Sequence, residues 1–179
     1  KNWFLQTNTL GDRVGRLIGA KPGFTVVGDT LSIKVFQAVA AGLELVPDRK
    51  IILSDNGNFP TDLYMVEGLM KLRNAGYELL TPDPEAMMDQ INDQVAVVMV
   101  TEVDYRTGRK HDMSALITKA HSVGAIVVWD MAHSLGAIPV DVTSTDADFA
   151  IGCTYKYING GPGAPAFIYV SPRLIDDAE

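Results

Sequence analysis

Val95-Ala96-Val97-Val98-Met99-Val100 is apolar at every position, with no alternation of polar and apolar side chains. A strand half exposed to water alternates, whereas a strand covered on both faces does not, so this run reads as a central strand of a parallel sheet. Shorter β-branched runs lie on either side of it: Phe24 to Val27, Lys50 to Ser54, Tyr77 to Leu80, Ala125 to Trp129, Asp148 to Ile151 and Ala166 to Val170. Between them, Leu31 to Leu45, Thr61 to Gly76, Pro84 to Asn92 and Ser114 to Val123 carry apolar residues at three- and four-residue spacing, which is the helical period. Asp112 or the pair Thr61-Asp62 can supply a cap. Strand and helix in alternation predict an α/β fold, a three-layer sandwich around a mostly parallel sheet.

The composition agrees with a globular protein. Of 179 residues 47% are hydrophobic and 21% charged, and no repeat or low-complexity block interrupts them. The net charge of −7, without a basic cluster, argues against nucleic acid as a partner. No apolar run approaches the roughly 20 residues that cross a bilayer, so no membrane partner is expected. A lone Cys153 cannot form an internal disulfide, and the opening residues lack a secretory h-region, which favours a reducing, cytoplasmic compartment. Length suggests one domain, but the chain does not begin with Met and reads as a piece of something longer.

In parallel sheets ligands gather where strand ends lead into helices. Gly28-Asp29-Thr30-Leu31-Ser32 is such a turn: it suits a phosphate at the free N–H groups of the following helix, and equally an ordinary N-cap. No P-loop or dinucleotide glycine pattern is present. Asp130 closes the run Ile126-Val127-Val128-Trp129 and is costly to keep ionised there without a cation or hydrogen bonds, unless it only caps the next segment. Lys156 stands between Tyr155 and Tyr157 ahead of Gly160-Gly161-Pro162-Gly163, itself read as a turn. A partly desolvated lysine is a usable nucleophile towards aldehydes. Pyridoxal 5′-phosphate requires a lysine for its aldehyde, an acid for its ring nitrogen and a phosphate site, and this sequence offers all three. His111, His121 and His133 show no ligand spacing with Cys153, and no metal is assigned.

Four strings carry a family resemblance: Asn58-Phe59-Pro60-Thr61-Asp62-Leu63-Tyr64, Tyr105 through Met113, Trp129-Asp130-Met131-Ala132-His133-Ser134, and Tyr155-Lys156-Tyr157-Ile158-Asn159-Gly160-Gly161-Pro162-Gly163. They resemble the kynureninase family, fold-type I pyridoxal-phosphate enzymes akin to class V aminotransferases and cysteine desulfurases. The likeness runs from about Leu10 to Arg173.

The resemblance implies that Lys156 bonds to the cofactor and later shuttles protons, that Asp130 keeps the ring nitrogen protonated, and that Tyr155 serves catalysis and touches the phosphate. Phe59, Pro60, Thr61 and Asp62 would lie along the ring, Phe59 stacking on its face and Asp62 near its nitrogen. Thr101 would offer a hydroxyl, His133 would sit beside the ring, and Thr30, Leu31 and Ser32 would meet the phosphate. The implied reaction is hydrolysis of L-kynurenine or 3-hydroxykynurenine to an anthranilate and L-alanine, in tryptophan catabolism and NAD biosynthesis. The implied assembly is a homodimer of longer chains, residues 1–179 forming part of a large cofactor domain that lacks an N-terminal segment and a small C-terminal domain. Two alternatives stand beside this: another class V enzyme such as a cysteine desulfurase or aminotransferase, and a scaffold with the fold but no turnover.

Overall fold

A computed structural model describes residues 3–177. Strands β1 (Thr25–Val27), β2 (Ile51–Leu53), β3 (Glu78–Leu80), β4 (Val95–Thr101), β5 (Ile126–Asp130), β6 (Phe149–Cys153) and β7 (Ala166–Val170) form one sheet in the order β1-β7-β6-β5-β4-β2-β3. The strands from β6 to β3 run parallel, and β7 is antiparallel to both β6 and β1. β1 therefore points the same way as β6, and its carboxyl end lies at the same sheet edge.

β4 is buried at all seven positions, as its unbroken apolar run requires. Helices α2 (Leu31–Leu45) and α3 (Pro60–Arg73) cover one face, where Val35, Val39, Leu43, Val66 and Leu69 meet Ile52, Val97, Met99, Val128 and Ile151. Helices α1 (Gln6–Leu17) and α5 (Met113–Ser122) cover the other, where Val14, Leu116, Ile117 and Ala120 meet Val98, Val100, Val127 and Trp129. This is the expected three-layer sandwich with a mostly parallel sheet. No helix among the described residues is long and apolar enough to cross a membrane.

Three local expectations need correction. Helix α1 was not foreseen, because its polar residues and two glycines hide its period; Gly11 is there for close approach, since a Cβ on it would lie 2.0 Å from the Thr25 carbonyl oxygen. The stretch from Pro84 to Asn92 shortens to α4 (Met87–Gln90), preceded by turns. Thr61 and Asp62 do not cap α3: Phe59 is its N-cap, Pro60 occupies the first turn, and Asp62 lies inside the helix with its carboxylate turned to other use. Asp112 does cap α5, accepting the Ala115 N–H at 3.0 Å.

The edge opposite the strand ends is clamped at Asp148, just before β6. Its carboxylate accepts the Val127 N–H at 2.7 Å, meets His121 Nε2 at 3.0 Å and pairs with Arg173. Burial, then the Arg173 charge, holds His121 below the ordinary histidine range.

Candidate active site

Residues from β4, β5, the β2–α3 connection and the segment after β6 converge at the carboxyl edge of the sheet. Thr101 and Asp130 are cross-strand partners at the ends of β4 and β5. Asp130 is 1% exposed; one carboxylate oxygen accepts the Ala132 N–H at 2.9 Å and the other lies 3.0 Å from Thr101 Oγ1. It is more than a cap for the following turn, since only half its capacity is spent there. Asp62, in the first turn of α3, is equally buried, acts on Asp130 electrostatically, and leaves its Oδ2 without a hydrogen-bond partner.

Two carboxyls buried together disfavour ionisation in the absence of enough positive charge. Burial, then the Asp130 charge, pushes Asp62 up to about 8. Burial pushes Asp130 up to about 6, against the pull of the Ala132 N–H and Lys156. The pair titrates as a unit, so the two values belong to the site rather than to either residue.

Lys156 supplies the only ammonium among the groups acting on both carboxyls. It follows β6 by three positions, and its segment is closed tightly: Thr154 Oγ1 donates to the Pro165 carbonyl at 2.6 Å and the Gly160 N–H to the Thr154 carbonyl at 3.0 Å. Gly160-Gly161-Pro162-Gly163 forms the turn in that loop, with Gly161 and Gly163 at positive φ. Lys156 Nζ lies 2.9 Å from His133 Nε2, 5.7 Å from the Phe59 ring centre and 5.4 Å from that of Tyr155. Burial, then the Lys156 charge, holds His133 below its ordinary range. The Val103 backbone opposes this, although Nδ1 closes no hydrogen bond. Burial, then the neighbouring Cys153, raises the Tyr155 phenol, so Tyr155 keeps its proton at neutral pH.

The start of α2 lies at the same edge. Thr30 is an extended N-cap whose hydroxyl makes no cap bond, so the first-turn N–H groups of Leu31 and Ser32 have no side-chain acceptor. The preceding turn, with Asp29 at φ 55, is tied to β7: the Gly28 N–H donates to the Ala166 carbonyl at 2.9 Å and the Ala166 N–H to the Asp29 carbonyl at 3.0 Å. Pro60 and Thr61 are exposed in the first turn of α3. Every sequence-selected residue thus belongs to this edge.

Several residues here escaped the sequence reading. Tyr105 packs edge-on against Phe59, with ring centres 5.1 Å apart, and lies 6.0 Å from His133. Behind Phe59, Asp55 accepts the Gly57 N–H at 2.8 Å and meets His111 at 2.7 Å, with Arg109 at 3.7 Å. Asn58 bridges this loop to Thr101. Asn58 and Tyr105 stand inside the quoted strings, which was the available signal, but neither type announces a role by itself. Among the described residues no three His, Cys, Asp or Glu side chains gather as a metal cluster.

The chain is thus an α/β/α sandwich with an acid and a lysine at the ends of the adjoining strands β5 and β6. Residues 11–179 match the aminotransferase class-V family, and the chain belongs to that family. Within it the chain is 49% identical to the kynureninase of Pseudomonas fluorescens, over 97% of this chain and 43% of the relative. It is 47% identical to that of Burkholderia pseudomallei (strain 1106a), over 96% of this chain and 42% of the relative. The chain therefore spans about two-fifths of the length of these relatives. The fold is similar to the apo structure of cysteine desulfurase from Thermococcus onnurineus NA1, with TM-score 0.79 at 23% identity, covering 96% of this chain and 44% of that one.

Proposed function

We propose that this chain is part of the cofactor-binding large domain of a pyridoxal-phosphate enzyme that hydrolyses L-kynurenine, or its 3-hydroxy form, to an anthranilate and L-alanine. The observation that carries the reading is the buried Asp62 and Asp130 pair beside Lys156, with Asp62 Oδ2 unpartnered. Two acids facing one ammonium call for a second cation, and a protonated pyridine nitrogen is one. The uncapped start of α2 fits the phosphate, and Phe59 offers a ring face. The 47–49% identity to kynureninases favours their substrate class.

Lys156 would hold the cofactor covalently, Asp130 and Asp62 would balance its ring charge, and Thr30, Leu31 and Ser32 would hold its phosphate. When bound, the cofactor supplies an electron sink for negative charge on substrate carbons. Lys156 would take and return protons at those carbons, and the neutral His133 accepts a hydrogen bond from it. Tyr155, protonated at neutral pH, would donate a hydrogen bond to the phosphate. A desulfurase reading draws no support from Cys153: it ends β6, is 2% exposed, and burial raises its thiol.

The whole protein is proposed to be a homodimer of longer chains working in a reducing cytoplasm. Exposed Trp3, Phe4 and Leu5 support an apolar surface that an assembly covers. The test of the cofactor reading is borohydride reduction of the full-length protein with added pyridoxal phosphate. A pyridoxyl group on the peptide holding Lys156, absent from Lys156→Ala, is expected; a label elsewhere, or none, contradicts it.

A further inference from the structure

Asn58 is buried at the start of α3, and both ends of its amide are committed. Nδ2 donates to Ser54 Oγ at 2.9 Å, and Oδ1 accepts the Phe59 N–H at 2.7 Å. A backbone N–H can only donate, so the amide face turned to Phe59 must be the oxygen. Thr101 Oγ1 lies 2.5 Å from that same oxygen and 3.0 Å from Asp130 Oδ2.

One hydroxyl carries one proton. Asn58 Oδ1 has none to give, so Thr101 is the donor in the shorter contact. Towards Asp130 the Thr101 oxygen then has only lone pairs, and that contact is a hydrogen bond when Asp130 Oδ2 bears the proton.

We propose that Asn58 is a positioning residue that, by holding the Thr101 hydroxyl proton, keeps Asp130 in its protonated form in the cofactor-free protein. A further cation joining the site would then favour its ionisation, and taking that cation to be the cofactor's ring nitrogen rests on the reading above. The other groups facing Asp130 are Asp62 on α3, Cys153 at the end of β6, and Tyr155 and Lys156 just beyond it. Of these, Asp62 and Lys156 both draw the Asp130 carboxyl down, against the retained proton. Burial of the Asp130 carboxyl acts in the direction of a retained proton.

The arrangement predicts the sign of a titration. A hydroxyl that accepts from the acid stabilises the protonated form, whereas one that donates to the carboxylate stabilises the ionised form. In full-length protein stripped of cofactor and labelled with 13C at aspartate carboxyls, the Asp130 midpoint is assigned by its loss in Asp130→Asn. Thr101→Val, close in shape, should lower that midpoint by about half a pH unit to one unit, the size of one buried hydrogen bond. Asn58→Ala frees Thr101 to donate and should lower it by at least as much. Adding Thr101→Val to Asn58→Ala should raise it again, because the new donor is removed. A rise in Thr101→Val alone, or equal effects of Asn58→Ala with and without the hydroxyl, overturns the proposal. If Asn58→Ala does not fold, the sign in Thr101→Val still decides. All of this is read without cofactor, so it stands or falls separately from the borohydride label on Lys156.

Discussion

Lys156 Nζ and His133 Nε2 lie 2.9 Å apart, and the geometry requires a neutral imidazole that accepts from the ammonium. A protonated His133 would put two cations in contact. Burial and the Lys156 charge both hold the imidazole below its ordinary range. In the cofactor-free protein its ring proton resonance should titrate below about 6.5. Lys156→Ala should move the midpoint up, because one cause of the depression is gone. An unchanged midpoint would show that burial alone sets it.

Asp62 should weaken the fold it belongs to. Within the folded pair with Asp130 its titration is pushed up to about 8, above the ordinary value of 3.8 that the unfolded chain has. Such a group costs nothing while both states are protonated; as pH rises above about 4 the unfolded state ionises first, and native stability falls until about 8. Asp62→Asn keeps the shape and removes the ionisation. It should raise the melting temperature of the cofactor-free protein at pH 7 to 8, by the equivalent of a few kcal/mol at most, with little effect near pH 4, while weakening cofactor binding. Calorimetry at the two pH values checks this, and equal melting shifts at both would refute it.

Gly11→Ala should destabilise the docking of α1 on β1. The added Cβ would lie 2.0 Å from the Thr25 carbonyl oxygen, a backbone atom that cannot swing away. A loss of about 1–3 kcal/mol in denaturant unfolding is expected, the range of forced overpacking. Gly68, with open space around it and no positive φ, serves as the contrast for steric effect.

The fold was legible wherever burial produced a pattern. β4 announced itself because both faces are covered, and α2 matched its expected limits, Leu31 to Leu45, residue for residue. Helix α1 was not legible, because Gly11 answers to the Thr25 backbone 14 positions away, and Gly15 to the Thr25 side chain, rather than to a local preference. Asp130 and Lys156 were legible as types out of place: an acid ending an apolar strand and a lysine between tyrosines. The pairing of Asp62 with Asp130 was suggested only through resemblance, since no spacing rule links α3 to the end of β5. Asn58 was illegible as a functional group, because its part depends on which of two acceptors takes one proton from Thr101, a matter of tenths of an ångström.

Release of anthranilate from L-kynurenine, followed by its fluorescence, tests the central claim most directly. The full-length protein with pyridoxal phosphate should produce it, and Asp130→Ala should lower turnover by orders of magnitude, each tenfold being about 1.4 kcal/mol of barrier. Lys156→Ala should abolish it. The 179-residue chain alone, spanning about two-fifths of its relatives, should release none. No anthranilate from the full-length protein, or undiminished release by Lys156→Ala, would contradict the account.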